Sequence, residues 1–208
     1  AVISGTVDQV SKQFSLDDIT KGWYVGCALV GSISGVVFAG TLSDMFGRKI
    51  VMLLSAVLFT LSAIGCMISS GINQLVIARI VGGIGIGVAS VVSPLYIAEI
   101  SVPEARGRLV SLYQLAITVG FLAAYLANFG LLRHSETLLA KEATSGLYGK
   151  FFATEVWRGM LGMESLPALL FFIVLFFIPE SPRWLIVKKQ EPKALSILNK
   201  IYGEQEAE

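Results

Sequence analysis

Eight charged side chains and one amide stand where an otherwise apolar chain tolerates them least. Asp44, Arg48, Glu99, Arg106, Glu180 and Arg183 lie at or just beyond the ends of long apolar runs. Arg79 and Glu164 lie within such runs, and Gln114 sits inside another. Arginine presents a planar fork of donors that fits a carboxylate bidentately. Arginine–carboxylate pairs that form in only one arrangement of the surrounding segments act as a latch, biasing two conformations by their difference in interaction energy. The alternative is that these charges anchor loops at the level of lipid headgroups. An ionisable group inside an apolar run is a functional candidate whose partner has to be named. Arg79, about a turn from the start of its run, is placed either for such a role or to snorkel to the outer interface. Glu164 serves equally well as a proton relay or as a packing hydrogen bond. The amide of Gln114 offers a donor and an acceptor in apolar surroundings. Ile117 and Phe121, three and seven residues later, share its helical face.

The apolar runs set the class. In 208 residues, 54% are hydrophobic and only 15% are charged; soluble proteins carry about 25% charged residues. The mean hydropathy is +0.73. A soluble domain has too little interior for so much apolar surface, and disorder is excluded by the same composition. The net charge of +1 gives no hint of nucleic acid. Five runs, roughly Trp23–Leu42, Val51–Ile68, Leu75–Ile97, Leu109–Leu131 and Met160–Ile178, approach the ~20 apolar residues that span a bilayer. The fold class expected is an all-α membrane protein. Residues 1–5 read as the end of a further span whose start precedes the chain. Residues 6–22 read as an outer loop, 23–180 as the spans with their connections, and 181–208 as a cytoplasmic amphipathic helical segment interrupted at Pro192. Segment 132–157 reads as a longer polar outer loop with at most a short surface helix. Orientation follows from loop lysines and arginines. Segments 44–50, 98–108 and 179–208 carry nine (Arg48, Lys49, Arg106, Arg108, Arg183, Lys188, Lys189, Lys193, Lys200), against five (Lys12, Lys21, Arg133, Lys141, Lys150) on the opposite side. The first set is therefore cytoplasmic.

Small residues are spaced for helix packing. Lipid gives no hydrophobic drive between helices, so close backbone approach must hold them together. Gly31 and Gly35 are four apart, with Gly40 near their face, and Gly83 and Gly87 repeat the spacing within Gly82-Gly83-Ile84-Gly85-Ile86-Gly87. A dinucleotide-binding loop is rejected because no strand precedes these glycines. Pro94 frees a backbone carbonyl late in the same run and is expected to bend it. Cys27 and Cys66 lie in apolar runs and His134 stands alone, so no disulfide framework, metal site or catalytic set is indicated. No cofactor and no enzyme activity is expected.

The motifs at the cytoplasmic ends resemble a known family. Gly40-Thr-Leu-Ser-Asp44-Met-Phe-Gly47-Arg48-Lys49 resembles the loop signature of the major facilitator superfamily. Pro94-Leu-Tyr-Ile-Ala-Glu99 with Pro103-Glu104-Ala-Arg106-Gly107-Arg108, then Pro179-Glu180-Ser-Pro-Arg183-Trp184, and Arg79 followed by the glycine cluster, resemble motifs of its sugar porter branch. Four motifs in order cover essentially the whole chain and are similar to the first half of proton–xylose symporters and facilitative glucose transporters. The resemblance implies the N-terminal six-helix half of a twelve-helix carrier, its first helix mostly missing, in the plasma (inner) membrane. It implies a monosaccharide as substrate, protons as a possible second one, and the C-terminal half and the lipid bilayer as partners. It implies a cytoplasmic latch for Glu99, Arg106 and Glu180, joined by Arg48. It places the family's sugar-contacting glutamine at Gln114, whereas Phe121 departs from the second glutamine of the xylose symporters and is nearer to the glucose facilitators. An acidic partner for Arg79 in the first helix would lie ahead of Ala1. A sugar sensor on the same fold is the alternative function, and the fragment alone is not expected to transport.

Overall fold

A computed structural model describes residues 2–140 and 149–202. The apolar runs become helices because, in hydrocarbon, a helix satisfies its own backbone groups. In chain order these are α1 (Val2–Gln13), α2 (Asp18–Phe46), α3 (Arg48–Ile68), α4 (Ile72–Ile100), α5 (Pro103–Ala140), α6 (Val156–Gly162), α7 (Ser165–Phe177), α8 (Pro182–Val187) and α9 (Glu191–Tyr202). A π-helical turn, Lys150–Thr154, precedes α6. No strand occurs among the described residues. Among the described residues, five segments are long and apolar enough to cross a membrane: α2, α3, α4, α5, and α6 with α7 taken together.

The boundaries differ from the expected ones where polar residues continue a helix. Residues 6–13, expected in an outer loop, continue α1 to Gln13, because Thr6 and Val10 are buried against the bundle. The connection shrinks to residues 14–17. There Asp17 caps α2, its carboxylate accepting from the Thr20 amide at 3.4 Å. That hydrogen bond holds the Asp17 carboxyl below its ordinary range. Similarly, α5 runs through Arg133, His134 and Glu136 to Ala140, so the expected outer loop is helical at its start and again from residue 149. Residues 141–148, within that loop, and the acidic end 203–208 lie outside the described residues. The segment 181–202 is broken at residues 188–190 into α8 and α9, and Pro192 sits just after the break, in the first turn of α9, where a missing N–H costs nothing. Pro94 lies inside a continuous α4.

The crossing of α2 and α4 is built on glycine. A Cβ added at Gly31 would collide with the Ile80 carbonyl oxygen, and one at Gly35 with that of Ile84. Reciprocally, Gly83 faces the Ala28 carbonyl and Gly87 that of Ser32. Both expected small-residue pairs therefore meet each other, backbone against backbone. Gly40, expected near this face, has nothing within 4 Å and takes no part. Around this crossing two apolar clusters fill the half. At the end of the bundle that holds the α2–α3 turn, Val51, Met52, Val92, Tyr96 and Leu175 pack together; at the opposite end Val10, Tyr24, Cys66, Leu75, Trp157 and Leu161 do so. By contrast α5 is almost bare, with only 6% of its membrane-length window buried.

Because the facing atoms are backbone and cannot swing aside, Gly35→Leu and Gly83→Leu should each destabilise the protein by about 1–3 kcal/mol or more. Gly40→Leu should stay within about 0.5 kcal/mol. Thermal unfolding in detergent micelles reads the difference.

Candidate functional site

At the end of the bundle expected to be cytoplasmic, α2 turns into α3 across one residue, Gly47, at φ 98°. A Cβ there would be strained and would also strike the Glu180 carboxylate. Gly47 has no side chain to cap the orphan amides of α3. Glu180 supplies the cap from far along the chain. Its Oε1 accepts from the Arg48 amide at 2.9 Å and, with Oε2, from the Lys49 amide at 3.2 Å; Oε1 also takes the Ser181 amide at 2.8 Å. A negative charge at a helix N-terminus is favoured by both hydrogen bonding and the helix dipole. The segment after Glu180 is pinned in turn. Ser181 caps α8, the Trp184 indole N–H donates to the Asp44 carbonyl at 3.0 Å, and the Tyr96 hydroxyl donates to the Pro179 carbonyl at 2.9 Å.

The Arg48 side chain completes the cluster. Its Nε and Nη2 each lie 3.0 Å from one oxygen of Glu99, a bidentate pair joining α3 to α4. Its Nη1 donates to the Ser43 carbonyl at 2.9 Å and meets Asp44 at 3.0 Å. The Arg48 and Glu99 side chains are each only 10% exposed, whereas that of Asp44 is 73% exposed. The first pair is thus a desolvated tie and the second a screened surface contact. The six charges expected at this mouth therefore divide. Asp44, Arg48, Glu99 and Glu180 come together. Arg106 does not join Glu99, which pairs with Arg48; the Arg106 Nε is buried with no hydrogen-bond partner among the described residues. Arg183 is exposed in the first turn of α8 and makes no ion pair among the described residues.

Nearer the bilayer centre, Arg79 and Glu164 open onto one cavity of about 450 Å³, together with Ser62, Cys66 and, from the start of α1, Val2 and Ile3. Arg79 is not free to snorkel. Its Nε donates to the Tyr24 carbonyl at 3.2 Å and its guanidinium lies 5.0 Å over the Tyr24 ring. The Tyr24 hydroxyl in turn shares a 2.8 Å hydrogen bond with Thr6. Glu164, expected inside the last span, stands at the break between α6 and α7, and its carboxylate makes no hydrogen bond or ion pair among the described residues. The break exposes an ionisable group to the cavity, opposite a fixed cation.

Gln114 and Phe121 lie exposed on the bare helix α5, with Ile117 half-buried between them, and none of the three lines the cavity. They form a strip of one amide and two apolar groups on a surface that this half leaves uncovered.

One group of residues carried no signal recognised in the sequence. At the outer end Arg158, 6% exposed, donates to Glu155 at 2.6 Å and to the Met67 carbonyl at 2.8 Å, while its guanidinium lies 4.4 Å over the Trp157 ring. Gln13 bridges the Trp157 indole and Glu155, both at 2.6 Å. The signal available was a Trp-Arg pair next to an apolar run, where an arginine is costly unless paired.

The family model "Sugar (and other) transporter" matches residues 3–208. A glucose transport protein of Synechocystis is 43% identical over 203 residues, covering 98% of this chain and 42% of that protein. An arabinose-proton symporter of Bacillus subtilis is 39% identical over 204 residues, covering 98% and 41%. A solved structure of a major facilitator proton:xylose symporter, bound to 6-bromo-6-deoxy-D-glucose, superposes with a TM-score of 0.87 at 36% identity, covering all of this chain and 46% of that one. The chain thus spans less than half the length of the curated relatives it matches.

Arg48→Ala or Glu99→Ala alone leaves a buried charge without its partner and should cost about 3–5 kcal/mol. The double substitution should cost clearly less than the two singles summed. A double-mutant cycle on thermal unfolding measures that coupling; strict additivity would mean the pair is not energetically joined.

Proposed function

The chain belongs to the sugar transporter family of the major facilitator superfamily, and from that premise we propose that it is the N-terminal half of a multi-pass carrier. The carrier moves a monosaccharide, hexose or pentose, across the plasma (inner) membrane by alternating access, with protons as the coupled ion. It performs no covalent chemistry. The observation that carries this reading is the strip Gln114–Ile117–Phe121 on the uncovered face of α5. An amide in an apolar surface that only a second half would cover is placed to hydrogen-bond a sugar between two halves. Phe121 offers an apolar face rather than a second amide.

The roles of the other groups follow. Arg79, held by Tyr24, presents a fixed positive charge to the cavity, and Glu164 is the proton-carrying candidate opposite it. A carboxylate whose surroundings change as the halves rock exchanges its proton to one side and then the other. Asp44, Arg48, Glu99 and Glu180 tie α2, α3, α4 and α8 of this half to one another. Arg106 and Arg183, which hold no carboxylate among the described residues, are the cations that we assign to carboxylates of the second half when the inner mouth is shut.

Two outcomes are expected for the full-length carrier in proteoliposomes. Gln114→Ala removes one or two hydrogen bonds to the sugar, about 1–3 kcal/mol, and should weaken sugar binding by roughly five- to a hundred-fold; unchanged affinity would remove Gln114 from the site. Glu164→Gln should abolish accumulation of labelled sugar driven by a pH gradient while sugar exchange persists. Proton-driven accumulation that survives the substitution assigns coupling elsewhere.

A further inference from the structure

The helix that follows the last span carries an exposed surface that none of these roles uses. In α8, Ile186 and Val187 are 51% and 77% exposed. Lys188 and Lys189 follow immediately, both exposed, and Lys193 lies exposed in the first turn of α9. Lys189 takes a left-handed backbone conformation (φ 59°), and the chain reverses there, its amide and that of Gln190 bonding back to the Ile186 and Leu185 carbonyls at 2.9 Å. The lysine heads stay available: Lys188 lies 5.7 Å over the Trp184 ring and Lys193 bonds the neutral Gln190 at 3.0 Å. Glu191 is the exposed carboxylate beside them, leaving the patch net positive.

Its place in the fold decides what it meets. α7 packs chiefly against α3 and ends at Phe177, 83% exposed. There Lys49 Nζ, donating to the Phe176 carbonyl at 2.9 Å, puts a cation at the end of the apolar stretch, the level of the headgroups. α8 starts five residues beyond Phe177 and, at six residues, is only about 9 Å long. Its apolar pair and lysines therefore stay beside the inner membrane surface. Trp184 and Glu180 hold that helix against the α2–α3 turn.

We infer that the end of α8 and the start of α9 form an interfacial anchor. Ile186 and Val187 enter the headgroup–acyl boundary, and Lys188, Lys189 and Lys193 bind anionic phospholipid headgroups of the inner leaflet. Apolar insertion flanked by lysines is the pattern of surface-bound elements, and the cytoplasmic leaflet supplies the complementary charge. The inference rests on the chain being membrane-embedded and not on which sugar is carried, so uptake assays test the functional reading separately.

The test places a nitroxide at Val187→Cys in the full-length carrier, with thiols outside this chain replaced; Cys27 and Cys66 are buried and stay. The protein is reconstituted in phosphatidylcholine alone and in phosphatidylcholine with phosphatidylglycerol. In the anionic bilayer the label should become more accessible to oxygen and less so to an aqueous nickel reagent. Lys188→Glu with Lys189→Glu should reverse that shift, and phosphatidylglycerol binding to the detergent-solubilised carrier should fall by at least roughly ten-fold. Inorganic phosphate should not compete. Three results would overturn the anchor: equal depth in both bilayers, a label already immobilised in lipid-free detergent (as contact with the second half would produce), or full competition by inorganic phosphate.

Discussion

Close approach of two backbones, α2 against α4, is the constraint on which the other contacts depend. In water a bundle can be driven together by burying leucine, but lipid is as apolar as leucine and offers no such drive. What remains is dispersion between surfaces that fit, and the fit here is made by deleting side chains. Gly31 and Gly35 admit the Ile80 and Ile84 carbonyls, and Gly83 and Gly87 admit those of Ala28 and Ser32. With the two helices fixed at that distance, Arg79 of α4 comes within reach of the Tyr24 carbonyl and ring on α2. Its position in the cavity, opposite Glu164, is a consequence of the glycines.

The end of the bundle at the α2–α3 turn solves a different problem. A helix that starts one residue after another has ended cannot provide its own cap, and at Gly47 it has no side chain to do so. The unsatisfied amides of α3 recruit Glu180, and the same carboxylate bonds the amide of Ser181, the cap of α8. The bidentate pair of Arg48 with Glu99 then joins α3 to α4. Buried ion pairs are weak evidence for stability, because desolvation offsets much of the attraction. Their clearer effect is orientation: Arg48 fixes the Glu99 carboxylate between α3 and α4, while Arg106 keeps a buried Nε with no partner among the described residues.

Much of this was legible in the sequence, and the omissions share a cause. The spans were visible because their length and apolar content are fixed by the thickness of hydrocarbon. The crossing glycines were visible because four-residue spacing is a property of one helix. The pairing of Arg48 with Glu99 was not, since several arginines and carboxylates on one side allow many pairings, and only the distance across α3 and α4 selects one. The helical continuations 6–13 and 132–140 were missed because polar residues there pack on protein or face the interface; hydropathy alone cannot distinguish such a helix from a loop. The Arg158 network escaped notice for a related reason, since its acceptors, the Met67 and Ser69 carbonyls, are backbone atoms with no residue-type signal.

These ties sit at opposite ends of the same helices. At the outer end Arg158, Glu155, Trp157 and Gln13 fasten α1, α3 and α6; at the inner end Arg48, Glu99 and Glu180 fasten α3, α4 and α8. Helix α3 is held at both ends and α2 along its middle, so internal shear would break desolvated hydrogen bonds, each with a large penalty for the group left unpaired. The face of α5, bearing Gln114 and Phe121, has almost nothing packed on it. The desolvated polar ties are thus turned inward, and the uncovered face carries the Gln114 amide among apolar side chains. In the carrier we propose, such a half is suited to rocking as one body against a second surface.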